Sequence, residues 1–136
     1  MKEKSQLLIK PRTDSSIYQS VTIKSANWKY LNFEARKLKM NEKWEFNTEA
    51  NEMVIVLLSG NYMFKSKKGN FETINGRKDV FKGVAHTLYV PRNTTFELIA
   101  SSDVLDIAYG WCESDSDFPI KFVTPEKTQT VIFGGD

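Results

Sequence analysis

Few side chains in this chain are suited to chemistry. Among 136 residues there is one histidine, His86, and one cysteine, Cys112. An imidazole can move a proton or contact a ligand near neutral pH. A glutamate can serve as a base, and an arginine fork can hold a carboxylate. On these grounds Glu52, His86, Tyr89 and Arg92 are the candidate ligand-binding residues. No catalytic set is assigned. Glu97 alternates with Phe96 and Leu98, so if Phe96 points inward, Glu97 points out and is a poor interior base. Cys112 has no basic neighbour in sequence and reads as a small hydrophobe. Glu113, Asp115 and Asp117 alternate as calcium-loop carboxylates do, but they lack the turn glycine and the closing glutamate, and read as a solvated loop. Lys65, Lys67 and Lys68 read as a charged hairpin tip that discourages edge pairing.

The elements that would hold these residues are strands. Residues 30–38 alternate apolar and polar side chains, with Leu31 and Phe33 against Asn32 and Glu34, which predicts a strand with one buried face. Trp44 and Phe46 repeat the alternation. Residues 53–58 form an unbroken aliphatic run, which predicts a strand buried on both faces. Ser59, Gly60 and Asn61 then turn the chain. Asn75 and Gly76 suit the two positive-φ positions of a type I′ turn. Further strands are expected at 62–64, 71–74, 87–90, 95–99, 104–111 and 118–123, and Thr124, Pro125 and Glu126 can open one helical turn. About nine or more short antiparallel strands, with turn signals every 8 to 12 residues, predict an all-β sandwich or barrel. The organisation expected is an arm at 1–20, a barrel at 21–126, and a strand or linker-like tail at 127–136. Trp28, Tyr30, Phe33, Trp44 and Phe46 are expected in core and interface packing rather than as a sugar-stacking platform.

Composition bounds the class. A net charge of +2, from 19 basic and 17 acidic side chains, gives no general attraction to nucleic acid. A single cysteine fits a reducing compartment. The N-terminal apolar run is too short for a signal peptide, and no stretch reaches the roughly 20 apolar residues that span a bilayer. A cytoplasmic protein without nucleic-acid or membrane partners is expected.

Two stretches resemble the motif regions of the cupin superfamily. One runs from Val54 through Leu58 to Gly60. The other runs from Leu88 through Pro91 to Leu98. The resemblance implies a single cupin-type jelly-roll barrel. Cupins bind a divalent metal through two histidines and a glutamate of the first motif and a third histidine after a Pro-x-Gly turn. Here Glu52 precedes Gly60 at about the glutamate spacing. The histidine positions fall among Phe46, Asn47, Thr48 and Glu49, and on Phe96. Pro91, Arg92 and Asn93 replace Pro-x-Gly. An apolar ring cannot ligate a metal, so no metal site and no cofactor are expected.

A fuller resemblance spans nearly the whole chain. Val21 and Thr22, then Trp28 through Glu34, look like the opening of the 5-deoxy-glucuronate isomerase family of bacterial myo-inositol catabolism. So do Leu57 to Gly60, Gly76 with Arg77, Val80 to Gly83, Leu88 to Pro91, and Pro125 with Glu126. The resemblance implies the N-terminal one of two cupin barrels, with the family's metal ligands on the second. It further implies a metal-free domain acting in scaffolding, oligomerisation or binding of a small carbohydrate-like ligand, partnered as a homodimer or with a second cupin barrel. The alternative it leaves open is a sugar-acid isomerase, alone or as part of a longer enzyme.

Overall fold

The computed structural model describes residues 9–134. Residues 1–8 of the expected arm and 135–136 of the expected tail lie outside the described residues. The described residues form ten strands: β1 (Ile17–Val21), β2 (Asn32–Lys39), β3 (Lys43–Asn47), β4 (Asn51–Ser59), β5 (Tyr62–Ser66), β6 (Gly69–Glu72), β7 (Thr87–Val90), β8 (Thr95–Ala100), β9 (Val104–Glu113) and β10 (Lys121–Val123). They build a six-stranded sheet, β1-β2-β9-β4-β7-β10, and a four-stranded sheet, β3-β8-β5-β6. Every pairing is antiparallel. The only α-helix among the described residues is one turn, α1 (Ile23–Ala26), capped reciprocally by Thr22 and Ser25. This is a jelly roll of the cupin type.

The two sheets enclose the core because alternate residues of each strand point inward. Met53, Ile55 and Leu57 of β4, Leu88 and Val90 of β7, Phe96 and Leu98 of β8, and Leu105 and Ile107 of β9 are all at most 1% exposed. Aromatic contacts cross the interior. Trp44 meets Phe96 at 5.2 Å, Phe96 meets Phe64 at 4.9 Å, Phe64 meets Phe71 at 6.2 Å, and Phe71 meets Phe122 at 5.2 Å. The last contact closes the seam between β6 and β10. Burial of side chains this size is each worth about 1.5–3 kcal/mol, so the interior is a solid core that fixes the strand register.

Several local expectations are corrected. β4 is buried on one face only among the described residues, and Val54 on its other face is 40% exposed. The faces of β2 are reversed. Asn32, Glu34, Arg36 and Leu38 sit opposite the inward Trp111, Tyr109, Ile107 and Leu105 of β9, while Phe33 and Ala35 lie on the other face, where Ala35 is nonetheless buried. Ile17, Gln19 and Ser20, at the end of the stretch read as an arm, pair with β2 as part of β1. Trp28 and Tyr30 are exposed at 36% and 68% rather than packed in the core.

No hairpin forms at Asn75 and Gly76. Asn75 has φ 53°, but Gly76 is not in the positive-φ region, which a type I′ turn requires. Glycine serves there for space. A Cβ on Gly76 would lie 1.9 Å from the Gly60 carbonyl oxygen. The segment 73–86 is instead a long connection braced by Arg77, whose Nε and Nη2 donate to the Leu57 carbonyl at 3.0 and 2.8 Å. Its Nη1 donates to the Val80 and Gly83 carbonyls.

Candidate functional site

Strand parity decides where the four candidate residues go. Glu52 pairs with Cys112, and Val54 pairs with both Gly110 and Tyr89. Met53 is inward, so Glu52, Tyr89 and Cys112 share the outer face of the six-stranded sheet. The Tyr89 hydroxyl donates to Glu52 Oε2 at 2.8 Å. The Cys112 thiol lies 3.9 Å from Glu52 Oε1. Burial, then the bond to the carboxylate, pushes the Tyr89 hydroxyl up to about 12. Burial and the Glu52 charge also push the Cys112 thiol up, so neither group ionises near neutrality.

Arg92 follows at the end of β7. Its Nε and Nη2 grip Asp117 at 2.7 and 3.3 Å, and Nη1 donates to the Ser114 carbonyl at 3.1 Å. The fork is therefore already filled by a carboxylate of the chain. His86, just before β7, has the opposite parity. It is 4% exposed and stacks on Phe122 at 5.8 Å, and its Nδ1 has no partner among the described residues. Burial lowers its pKa, partly offset by Glu126. The fold thus joins Glu52 to Tyr89, engages Arg92 with Asp117, and sets His86 on the inner face.

The interior positions reserved for a cupin metal carry no ligand chemistry. Parity makes Met53, not Glu52, the inward residue preceding Gly60. Phe46 and Thr48 are the inward residues of the preceding segment, and Phe96 faces them from β8, with Phe46 and Phe96 ring centroids 5.9 Å apart. The Thr48 hydroxyl is already committed, donating to the Pro91 carbonyl at 2.9 Å and accepting from the Thr94 amide at 2.9 Å. Asn93, at φ 56°, takes the left-handed position of the turn that a cupin fills with glycine. Two phenyl rings, a thioether and a satisfied hydroxyl do not fit a divalent ion. Among the described residues no three His, Cys, Asp or Glu side chains are grouped to hold one.

A polar cluster on the inner face escaped the sequence reading. The Arg36 guanidinium lies over the Trp44 ring at 4.5 Å, and its Nε donates to the Tyr109 hydroxyl at 3.2 Å. That hydroxyl donates in turn to Glu34 Oε2 at 2.7 Å, and Ser20 donates to Glu34 Oε1 at 3.3 Å. Trp44 stacks on Tyr109 at 4.4 Å. The signal that could have revealed the cluster is the spacing of Glu34, Arg36 and Leu38. It places both charges on the face of an unmistakably apolar side chain.

Comparisons with known proteins agree with the fold. Residues 7–136 match the KduI/IolB family profile. The chain belongs to the KduI/IolB family. A 5-deoxy-glucuronate isomerase of Geobacillus kaustophilus (strain HTA426) is 30% identical over 115 residues, covering 84% of this chain and 41% of the relative. The crystal structure of an IolB-like protein of Salmonella typhimurium LT2 superposes with a TM-score of 0.87 at 22% identity, over 94% of this chain and 49% of that one. The cupin domain of Schizosaccharomyces pombe Cnp3 superposes with a TM-score of 0.50 at 14% identity, over 62% of this chain and 54% of that one. The chain thus spans less than half the length of the curated KduI/IolB relatives that it matches.

Proposed function

We propose that this KduI/IolB chain is a metal-free cupin barrel that scaffolds and pairs with a second barrel, rather than carrying sugar-acid isomerisation by itself. The observation that carries this reading is the filling of the cupin ligand positions by Phe46, Thr48, Met53 and Phe96. Interconverting an aldose and a ketose needs a base and a group that polarises the carbonyl. The inner face offers neither at those positions.

The outer surfaces support pairing. The outside of the four-stranded sheet carries Lys43, Glu45, Lys65 and Glu97, with Lys43 bridging Glu45 at 3.2 Å and Glu97 at 3.3 Å. The outside of the six-stranded sheet carries an uncharged patch, Phe33, Val54, Val56, Ala108 and Gly110, flanked by Lys37 and Asp106 on one side and by the Glu52–Tyr89 pair on the other. A patch of this kind suits burial against another barrel. In the isolated chain that barrel is a second copy.

Light scattering over a concentration series tests the pairing, with a dimer expected. A species that stays monomeric at high concentration overturns it. An isomerase assay of the chain incubated with zinc, iron or manganese tests the other half, with no turnover expected. The second reading, a sugar-acid isomerase acting alone or within a longer enzyme of inositol catabolism, draws on the isomerases among the relatives. Turnover with a stoichiometric bound metal would establish it for the isolated chain.

A further inference from the structure

The β5–β6 hairpin gathers Lys65, Lys67 and Lys68 within four residues. Lysines there can guard an exposed sheet edge. The edge of the four-stranded sheet is β6, however, and Gly69–Glu72 holds no lysine. Lys65 lies on β5, which is paired on both sides, with Asn70 of β6 and Glu97 of β8. Edge protection therefore does not account for it.

The three lysines line a cleft of about 650 Å³ between the hairpin and residues 93–97, a size usual for small-ligand sites. The Lys68 ammonium spans the gap and donates to the Arg92 carbonyl at 2.7 Å. This clasp fixes the hairpin tip against the β7–β8 turn. Glu97 also lines the cleft, and Lys43 holds its carboxylate at 3.3 Å. Lys65 and Lys67 make no ion pair within 4 Å among the described residues. Three ammonium groups thus share the cleft with one carboxylate, an excess of two positive charges. Neutral polar groups stand beside them. Asn70 Oδ1 accepts from the Ser66 amide at 3.1 Å, which leaves its NH₂ group to donate elsewhere. The side chains of Asn93 and Thr95 complete the wall.

We infer that this cleft binds a small soluble phosphate monoester, its phosphate between the Lys65 and Lys67 ammonium groups and its body against Asn70, Asn93 and Thr95. A phosphate monoester carries nearly two negative charges near neutrality and presents three acceptor oxygens. It answers the excess charge in full, where a carboxylate would answer half. Lysine suits it, because an ammonium is a point charge that meets a tetrahedral oxyanion from any side, whereas planar carboxylates favour the arginine fork. The cleft shares no residue with the filled metal positions except Phe96, and none with the outer face of the six-stranded sheet. Either the cleft or the pairing can fail without the other.

The test uses the whole chain and glycerol phosphate as the probe, followed by phosphorus NMR and calorimetry. Glycerol, which lacks the phosphate, and glycerate, which carries a carboxylate instead, are the comparison ligands. Saturable binding of glycerol phosphate is expected, with no glycerol binding and weaker glycerate binding. In the unaltered protein the amide NMR signals that shift are expected to be those of 65–70 and 93–97. Lys65→Met and Lys67→Met are each expected to weaken binding about tenfold, and Lys67→Arg to retain most of it. The pair Lys24→Met with Lys82→Met removes the same charge from exposed positions elsewhere and is expected to leave binding unchanged. Vesicles of phosphatidylcholine with phosphatidic acid offer the same monoester on a surface, and no sedimentation of the protein with them is expected. No saturable binding of glycerol phosphate, equal binding of glycerate, shifts confined to other segments, an equal loss in the Lys24 and Lys82 pair, or capture by the vesicles in preference to the free ester would each overturn the site.

Discussion

Thr48 and Pro91, 43 positions apart in sequence, are joined by a 2.9 Å hydrogen bond from hydroxyl to carbonyl. The same oxygen of Thr48 accepts from the Thr94 amide at 2.9 Å, and the Thr94 hydroxyl also donates to the Pro91 carbonyl, at 2.7 Å. All three residues are buried. This knot ties the β3–β4 connection to the β7–β8 turn at a position where a cupin would place a metal ligand. Thr48→Val keeps the shape and leaves the Thr94 amide buried without an acceptor. The expected loss is about 1–3 kcal/mol, seen as a lower denaturation midpoint at unchanged slope. Thr95→Val, one residue on and exposed, is expected to change stability little.

Glu52 is the cause of part of the Tyr89 shift, and Glu52→Gln separates that part from burial. Tyrosine NMR titration is expected to show Tyr89 ionising below its present value of about 12, while remaining above an ordinary tyrosine because burial persists. An unchanged Tyr89 titration would contradict the hydrogen bond.

His86 makes stability pH-dependent. In the unfolded chain it takes up a proton near its ordinary value of 6.5, while burial lowers its pKa in the fold. The unfolded state therefore binds more protons as pH falls, and stability present above 6.5 is lost progressively below it. Chemical denaturation between about pH 7.5 and 5.5 is expected to show this slope. His86→Phe, which preserves stacking on Phe122, is expected to flatten it.

Arg77 holds the 73–86 connection by donating to three carbonyls. Arg77→Met removes all of these bonds while leaving the aliphatic stem. Amide hydrogen exchange is expected to accelerate across 76–86 and to stay slow in β4, β8 and β9. Fast exchange throughout the barrel would show that the brace supports the whole fold rather than this connection.

Much of the architecture was legible in sequence because period-two alternation is a strong signal. Phe96 and Leu98 inward with Glu97 outward, and Trp44 inward with Glu45 outward, follow directly from it. Alternation shows that a strand has two faces, but not which one is buried when both are apolar. β2 presents Phe33 and Ala35 on one face and Leu38 with Arg36 on the other, so alternation alone identifies neither its inner face nor the cluster at Tyr109. In 53–58 both parities are aliphatic, and the run looked buried on both sides. For Glu52 an approximate spacing from Gly60 was not enough, since a shift of one residue exchanges inside for outside. The Thr48 knot left no signal at all, because its partners come from distant segments.

The contrast between the two outer surfaces bears on how copies of this chain would assemble. Two copies that met through the uncharged cheek would each bury the same patch. Such a contact closes on itself at two and does not propagate into filaments.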